Sequence, residues 1–142
     1  IPSETNTIEQ IIDSNYLGFG NTAINLQNIP IGFINSLSGA PEVFDWYFYT
    51  LLLLTGKSGI YIPECLTNYR IYSANMAGVQ SVTPRKVREE VTIKRRHYTA
   101  LRKRDEVFSI RMKAYSIEKP SISWRIIGPK NGRWWSLTQP IL

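Results

Sequence analysis

One stretch limits the folds open to this chain more than any other: the apolar run WYFYTLLLL at 46–54, headed by Asp45 and followed by Gly56 and Lys57. It is too short and too closely bracketed by charge to span a bilayer, which takes roughly 20 apolar residues. The run therefore predicts a buried helix around which the rest of the body packs. Pro41 and Glu42 suit the approach to a helix start, since a missing N–H costs nothing in the first turn and negative charge favours the positive end of the dipole. Gly56 closes the helix. Asp45 then falls in the first turn, where placement for the dipole alone is worth about 0.3–1 kcal/mol. Free backbone N–H groups lower its proton affinity, while desolvation by Phe44, Trp46 and Tyr47 raises it. Beyond the helix, GIYIP and ECLTNYRIY are expected to be extended, with Pro63 between them.

The order of residues over 44–75 adds a second kind of information. An acid followed by Trp (Asp45, Trp46), an apolar helix, Gly56, then Tyr61-Ile62-Pro63-Glu64, Leu66, Tyr69-Arg70 and Asn75 resembles the second half of family 2 glycosyltransferases. The resemblance implies an α/β fold, the C-terminal part of a nucleotide-sugar transferase body of the A type, with residues 1–82 as its acceptor side. It implies that Asp45 is the catalytic base that takes the proton from an acceptor hydroxyl. Trp46, Arg70 and Asn75 would shape the acceptor pocket, and Asn21 and Thr22, on a strand leading into the site, would touch donor or acceptor. Two positions depart from the family pattern. The His often found two residues past the Arg is Tyr72 here, so no metal or phosphate role carries over, and the acid often preceding the base is Phe44.

Transfer of a sugar also needs a nucleotide-sugar donor and, in this family, a divalent metal, Mg or Mn, held by paired aspartates. The three aspartates here, Asp13, Asp45 and Asp105, are isolated from one another. On the resemblance the donor and metal half belongs upstream of Ile1, this chain binds no metal itself, and alone it does not turn over. The acceptor would be a sugar or a lipid-linked sugar, and the setting cytoplasmic or peripheral to the inner face of the membrane. Walker-type phosphate loops, dinucleotide Gly-rich turns, zinc spacings and HExxH helices are all absent from the sequence, which sets those classes aside.

Composition enters through charge. The net +6 conceals a division: up to Val82 there are two basic residues (Lys57, Arg70) and six acids (Glu4, Glu9, Asp13, Glu42, Asp45, Glu64), leaving fifteen basic and five acidic residues beyond it. Residues 83–142 thus form a basic segment suited to an anionic partner. A non-catalytic binding module, contacting nucleic acid, anionic membrane or a partner protein through this segment, is the alternative reading, with nucleic acid least favoured. An incomplete sheet would leave an open edge, so a homo-oligomer is also expected. The lone Cys65 excludes an internal disulfide.

Local patterns predict the remaining elements. Ile8, Ile11 and Ile12 suggest a short amphipathic helix over 3–15, GFGNTAINLQN a strand, and IPIGFINSL a short helix or turn. Thr83 with Pro84 is an N-cap and first-turn signal. No Gly or Pro follows from Arg85 to Lys119, where Val87, Val91, Tyr98, Leu101, Phe108, Met112 and Tyr115 form an apolar stripe. Lys94 and Asp105 interrupt that stripe, predicting a bend or split near 104–106. His97, beside Arg96 and off the stripe, reads as a solvated or capping histidine and is assigned no role. Asn131-Gly132 predicts a C-terminal hairpin, with Trp124, Trp134 and Trp135 packing it onto the body.

Overall fold

The computed structural model describes residues 1–65, 67–68, 82–116 and 124–142. Its centre is α1 (Phe44–Leu54), in which every residue from Trp46 to Leu53 is buried. Burial on all sides explains why the sequence there is continuously apolar instead of amphipathic. The helix stops where Gly56, at φ 75°, turns the backbone left-handed. Gly56 N then donates to Leu53 O and Lys57 N to Leu52 O, which satisfies two of the terminal carbonyls.

The N-terminal segment is not the helix that its isoleucines suggest. Strand β1 (Glu4–Thr5) pairs antiparallel with β2 (Gly59–Ile60), and only one 3-10 turn, Ile8–Gln10, follows. Gln10 Oε1 accepts from Asn6 N and Thr7 N, fixing that turn, and Asn15 forms a bridge to Trp134. Extended backbone can satisfy partners on two sides at once, β2 and the C-terminal arm, and a helix could not. The strand expected over GFGNTAINLQN is likewise replaced by a turn at Gly18 and a 3-10 turn, Leu26–Asn28, capped by the Asn25 side chain. A further 3-10 turn, Phe33–Leu37, agrees with the expected short element there.

Helix α2 (Pro84–Leu101) begins as expected, with Thr83 Oγ1 accepting from Lys86 N and Pro84 at the first helical position. It separates from α3 (Glu106–Ala114) at the predicted place, because Asp105 caps the second helix by accepting from Val107 N at 2.9 Å. The C-terminal arm forms strands β3 (Trp124–Ile126) and β4 (Thr138–Pro140), antiparallel with Ile126 opposite Thr138. All three tryptophans pack the arm onto the body. Trp124 lies parallel to the Tyr115 ring, Trp135 enters the core, and Trp134 presses on Gly18, where an added Cβ would sit 2.6 Å from the indole.

The core joins Ile11, Tyr16 and Trp46 to Tyr98, Phe108, Tyr115 and Trp135, so the change of charge near residue 82 does not separate two bodies. The described residues form a mixed helix and strand structure with two small antiparallel sheets. Parallel pairing, which the A-type fold would lead one to look for, is not among them. The side chain of His97, expected to be solvated or capping, is fully buried and stacks on Trp46 at 4.1 Å between ring centroids.

Candidate active site

Asp45 sits in the first turn of α1 with its carboxylate half-buried, and Oδ1 accepts from Trp46 N at 2.7 Å. Of the two opposing effects on its proton affinity, desolvation wins: burial raises it above the ordinary carboxylate value, against the backbone N–H groups of Trp46 and Asp45 itself. Such a carboxylate is a stronger base than a fully solvated one.

Trp46 goes the other way. One residue on along a helix rotates the side chain by about 100°, and that step carries the indole from the surface into the core. It has no exposed surface, its Nε1 donates to Ile11 O at 2.8 Å, and His97 covers its face. A pocket role for Trp46 is therefore corrected to a core role. Arg70 and Asn75, the other two pocket residues expected on the Tyr69-Arg70 side, lie outside the described residues.

The turn at Gly18 brings the two polar positions expected from the N-terminal side up to α1. Thr22 Oγ1 donates to Gly18 O at 2.8 Å and is hydrogen-bonded to the Tyr49 hydroxyl. Tyr49 lies one helical turn beyond Asp45. Burial raises its proton affinity; the Thr22 bond opposes that and the Asp45 charge adds to it. Asn21 is a turn-former: Oδ1 accepts from Gly18 N at 2.7 Å and Nδ2 donates to Tyr16 O at 3.0 Å. Asn21 thereby supports the loop that carries Thr22, while its side chain stays exposed.

Two residues of this site were missed in the sequence, Phe19 and Tyr49. The Phe19 ring packs on Phe44, Phe48 and Tyr49 with centroids 5.8, 5.2 and 5.7 Å apart. Phe19 and Phe44 keep 48% and 40% of their surface exposed, so they form an open aromatic ledge at the start of α1, the turn that carries Asp45. A signal existed for Tyr49, because residues four apart share a helix face. Nothing in the sequence placed Phe19 against that face. The arrangement offers a carboxylate of raised basicity, a buried hydroxyl pair behind it and an apolar ledge beside it.

No group of three or more His, Cys, Asp or Glu able to hold a metal ion occurs among the described residues. No helix among them is long and apolar enough to cross a membrane. No protein-family model, curated protein or solved structure matches the chain.

Proposed function

We propose that this chain is the acceptor side of an inverting glycosyltransferase, working on the cytoplasmic side of a membrane or at its inner face. Asp45 takes the proton of an acceptor hydroxyl as that oxygen bonds to the anomeric carbon. The bond to the nucleotide diphosphate breaks with its electron pair, and the configuration at the carbon inverts. The donor and its divalent metal belong to a half that these residues do not supply, and no step assigned here passes through the metal.

The observation that carries the reading is the placement of Asp45, half-exposed at the mouth of α1 and made more basic by partial burial, beside the ledge of Phe19 and Phe44. An aromatic ledge suits the C–H face of a sugar ring, as indole and phenyl faces suit apolar surface generally. Thr22 and Tyr49 hold the loop and helix that form the two walls. The residue order of 44–75 supplies the reaction class, and the geometry of Asp45 is compatible with it.

The test is Asp45→Asn in the full-length protein, with transfer from a panel of nucleotide-sugars as readout. Loss of a general base is expected to lower the rate about 10²- to 10⁴-fold. The unfolding midpoint should barely move, because Asn removes a partly desolvated charge and no ion pair. Unimpaired transfer by the Asn variant overturns the role of Asp45. The chain by itself is expected to transfer nothing.

A further inference from the structure

A concavity that Asp45 does not line lies along α2. It is an open groove of about 320 Å³ lined by Glu42, Arg85, Arg88, Glu89, Thr92, Ile93 and Arg96. Arg85, Arg88, Glu89, Thr92 and Arg96 recur at helical spacing and share one side of α2, while Glu42 comes from the loop before α1. Arg96 is ion-paired with Glu42, and both side chains are more than half exposed. Arg85 and Arg88 are exposed and have no ion-pair partner among the described residues. The Thr92 hydroxyl donates to Arg88 O.

The balance of charge selects a class of ligand. With Glu42 and Arg96 neutralising each other, Arg85 and Arg88 face Glu89, which leaves one uncompensated positive charge in the groove. A polyanion such as nucleic acid draws its affinity from many cations, and the acid in the wall works against that. A single phosphate group fits better, since two guanidinium forks match its oxygens and are more weakly hydrated than ammonium groups. Ile93, buried at the base of the groove, offers the carbon part of an ester an apolar contact.

We propose that this groove binds the phosphate of a phosphate ester. Arg85 and Arg88 hold its oxygens, and Arg96 joins them when the anion competes it away from Glu42. The ester is either a lipid headgroup or a soluble molecule, and the chemistry at the groove is the same for both. The site stands independently of Asp45, because it is read by binding and not by transfer.

The probes are inorganic phosphate and glycerol phosphate, titrated against the chain by NMR. A second arm uses vesicles of phosphatidylcholine alone or mixed with phosphatidylglycerol, in cosedimentation at fixed ionic strength. Arg85→Gln/Arg88→Gln is expected to weaken binding at least about tenfold, the equivalent of losing one charge-assisted pair. Glu42→Gln is expected to strengthen it severalfold by freeing Arg96, a gain that a misfolded variant cannot imitate. Arg102→Gln/Lys103→Gln/Arg104→Gln removes more charge outside the groove and should change affinity less than about threefold, as exposed charges beyond a Debye length are screened. Binding to anionic vesicles only identifies a lipid headgroup, and binding to glycerol phosphate identifies a soluble ester. Either supports the site. No binding to any probe, or equal loss in the double and triple variants, overturns it.

Discussion

Two sets of buried polar residues on α2, the Glu90–Lys94 pair and His97, are treated in opposite ways. Glu90 and Lys94 are sealed from solvent and fully engaged: Glu90 accepts from Leu137 N at 3.0 Å, Thr138 N at 2.7 Å and Thr138 Oγ1 at 2.8 Å. Lys94 lies 3.2 Å from Glu90 and donates to Thr138 O. His97 is equally buried, yet neither ring nitrogen has a hydrogen-bond partner. The neighbours account for the difference. The first pair meets the edge of β4, a row of backbone donors and acceptors, whereas His97 stacks on Trp46 and meets Tyr98 in a T-shaped contact. Burying charge is tolerable where a strand edge answers it, and costly where only rings do.

The sharpest way to separate the two is by acid. Burial, with the Lys94 charge adding to it, lowers the His97 pKa from 6.5 to about 3, so the folded chain keeps a neutral imidazole that the unfolded chain protonates below pH 6.5. Stability attributable to this residue is therefore lost as pH falls from about 6.5 toward 3, by roughly 5 kcal/mol at the limit. Urea unfolding of the wild type and His97→Phe across that range should diverge by this amount. At neutral pH the Phe variant, which keeps the stack and removes two unpartnered nitrogens, should be more stable by about 1–3 kcal/mol. Equal acid sensitivity of the two proteins would remove the contrast.

Glu90→Ala attacks the engaged side and should cost about 3–5 kcal/mol, because it strands Lys94 and two backbone N–H groups in the interior. A loss below about 1 kcal/mol in equilibrium unfolding would mean that β4 does not depend on this carboxylate. Thr138→Val is the mildest probe. It deletes the hydroxyl that bridges Glu90 and Tyr115 but leaves the backbone bonds, and should cost about 1 kcal/mol by the same measurement.

Helix identity was legible in the sequence wherever the signal was local. The apolar run of α1 with its closing glycine, the Thr83-Pro84 start of α2 and the break before α3 were all readable from neighbouring residues. The buried face of α2 was not. It runs through Val87, Glu90, Ile93, Lys94, His97, Tyr98 and Leu101, and three of those positions carry Glu, Lys or His, so hydropathy drew the stripe toward Val91 and left His97 off it. What hid the face is the arm, since its partners lie 44 to 48 residues away in sequence. At the candidate site, Asp45 was legible as an acid in the first turn of a helix, whereas Thr22 was expected on a strand and sits in the turn at Gly18. Trp46 was misjudged because a residue type says nothing of which way its side chain points. Phe19 needed the turn at Gly18 to be known before its ring could be placed.

The stitching of the arm to the beginning of the chain has a consequence for synthesis. Arg133 Nη1 donates to Gln10 O and Ser14 O across a separation of over a hundred residues, beside the bridge from Trp134 to Asn15. On the ribosome, residues 10–15 emerge more than a hundred residues before these partners exist. Ile11, Ile12 and Trp46 stay wet during that interval, and the entropy of closing so long a loop is settled only at the last moment. Over that stretch of synthesis the core of this segment stays unclosed, and it locks shut as residues 133–140 clear the exit tunnel.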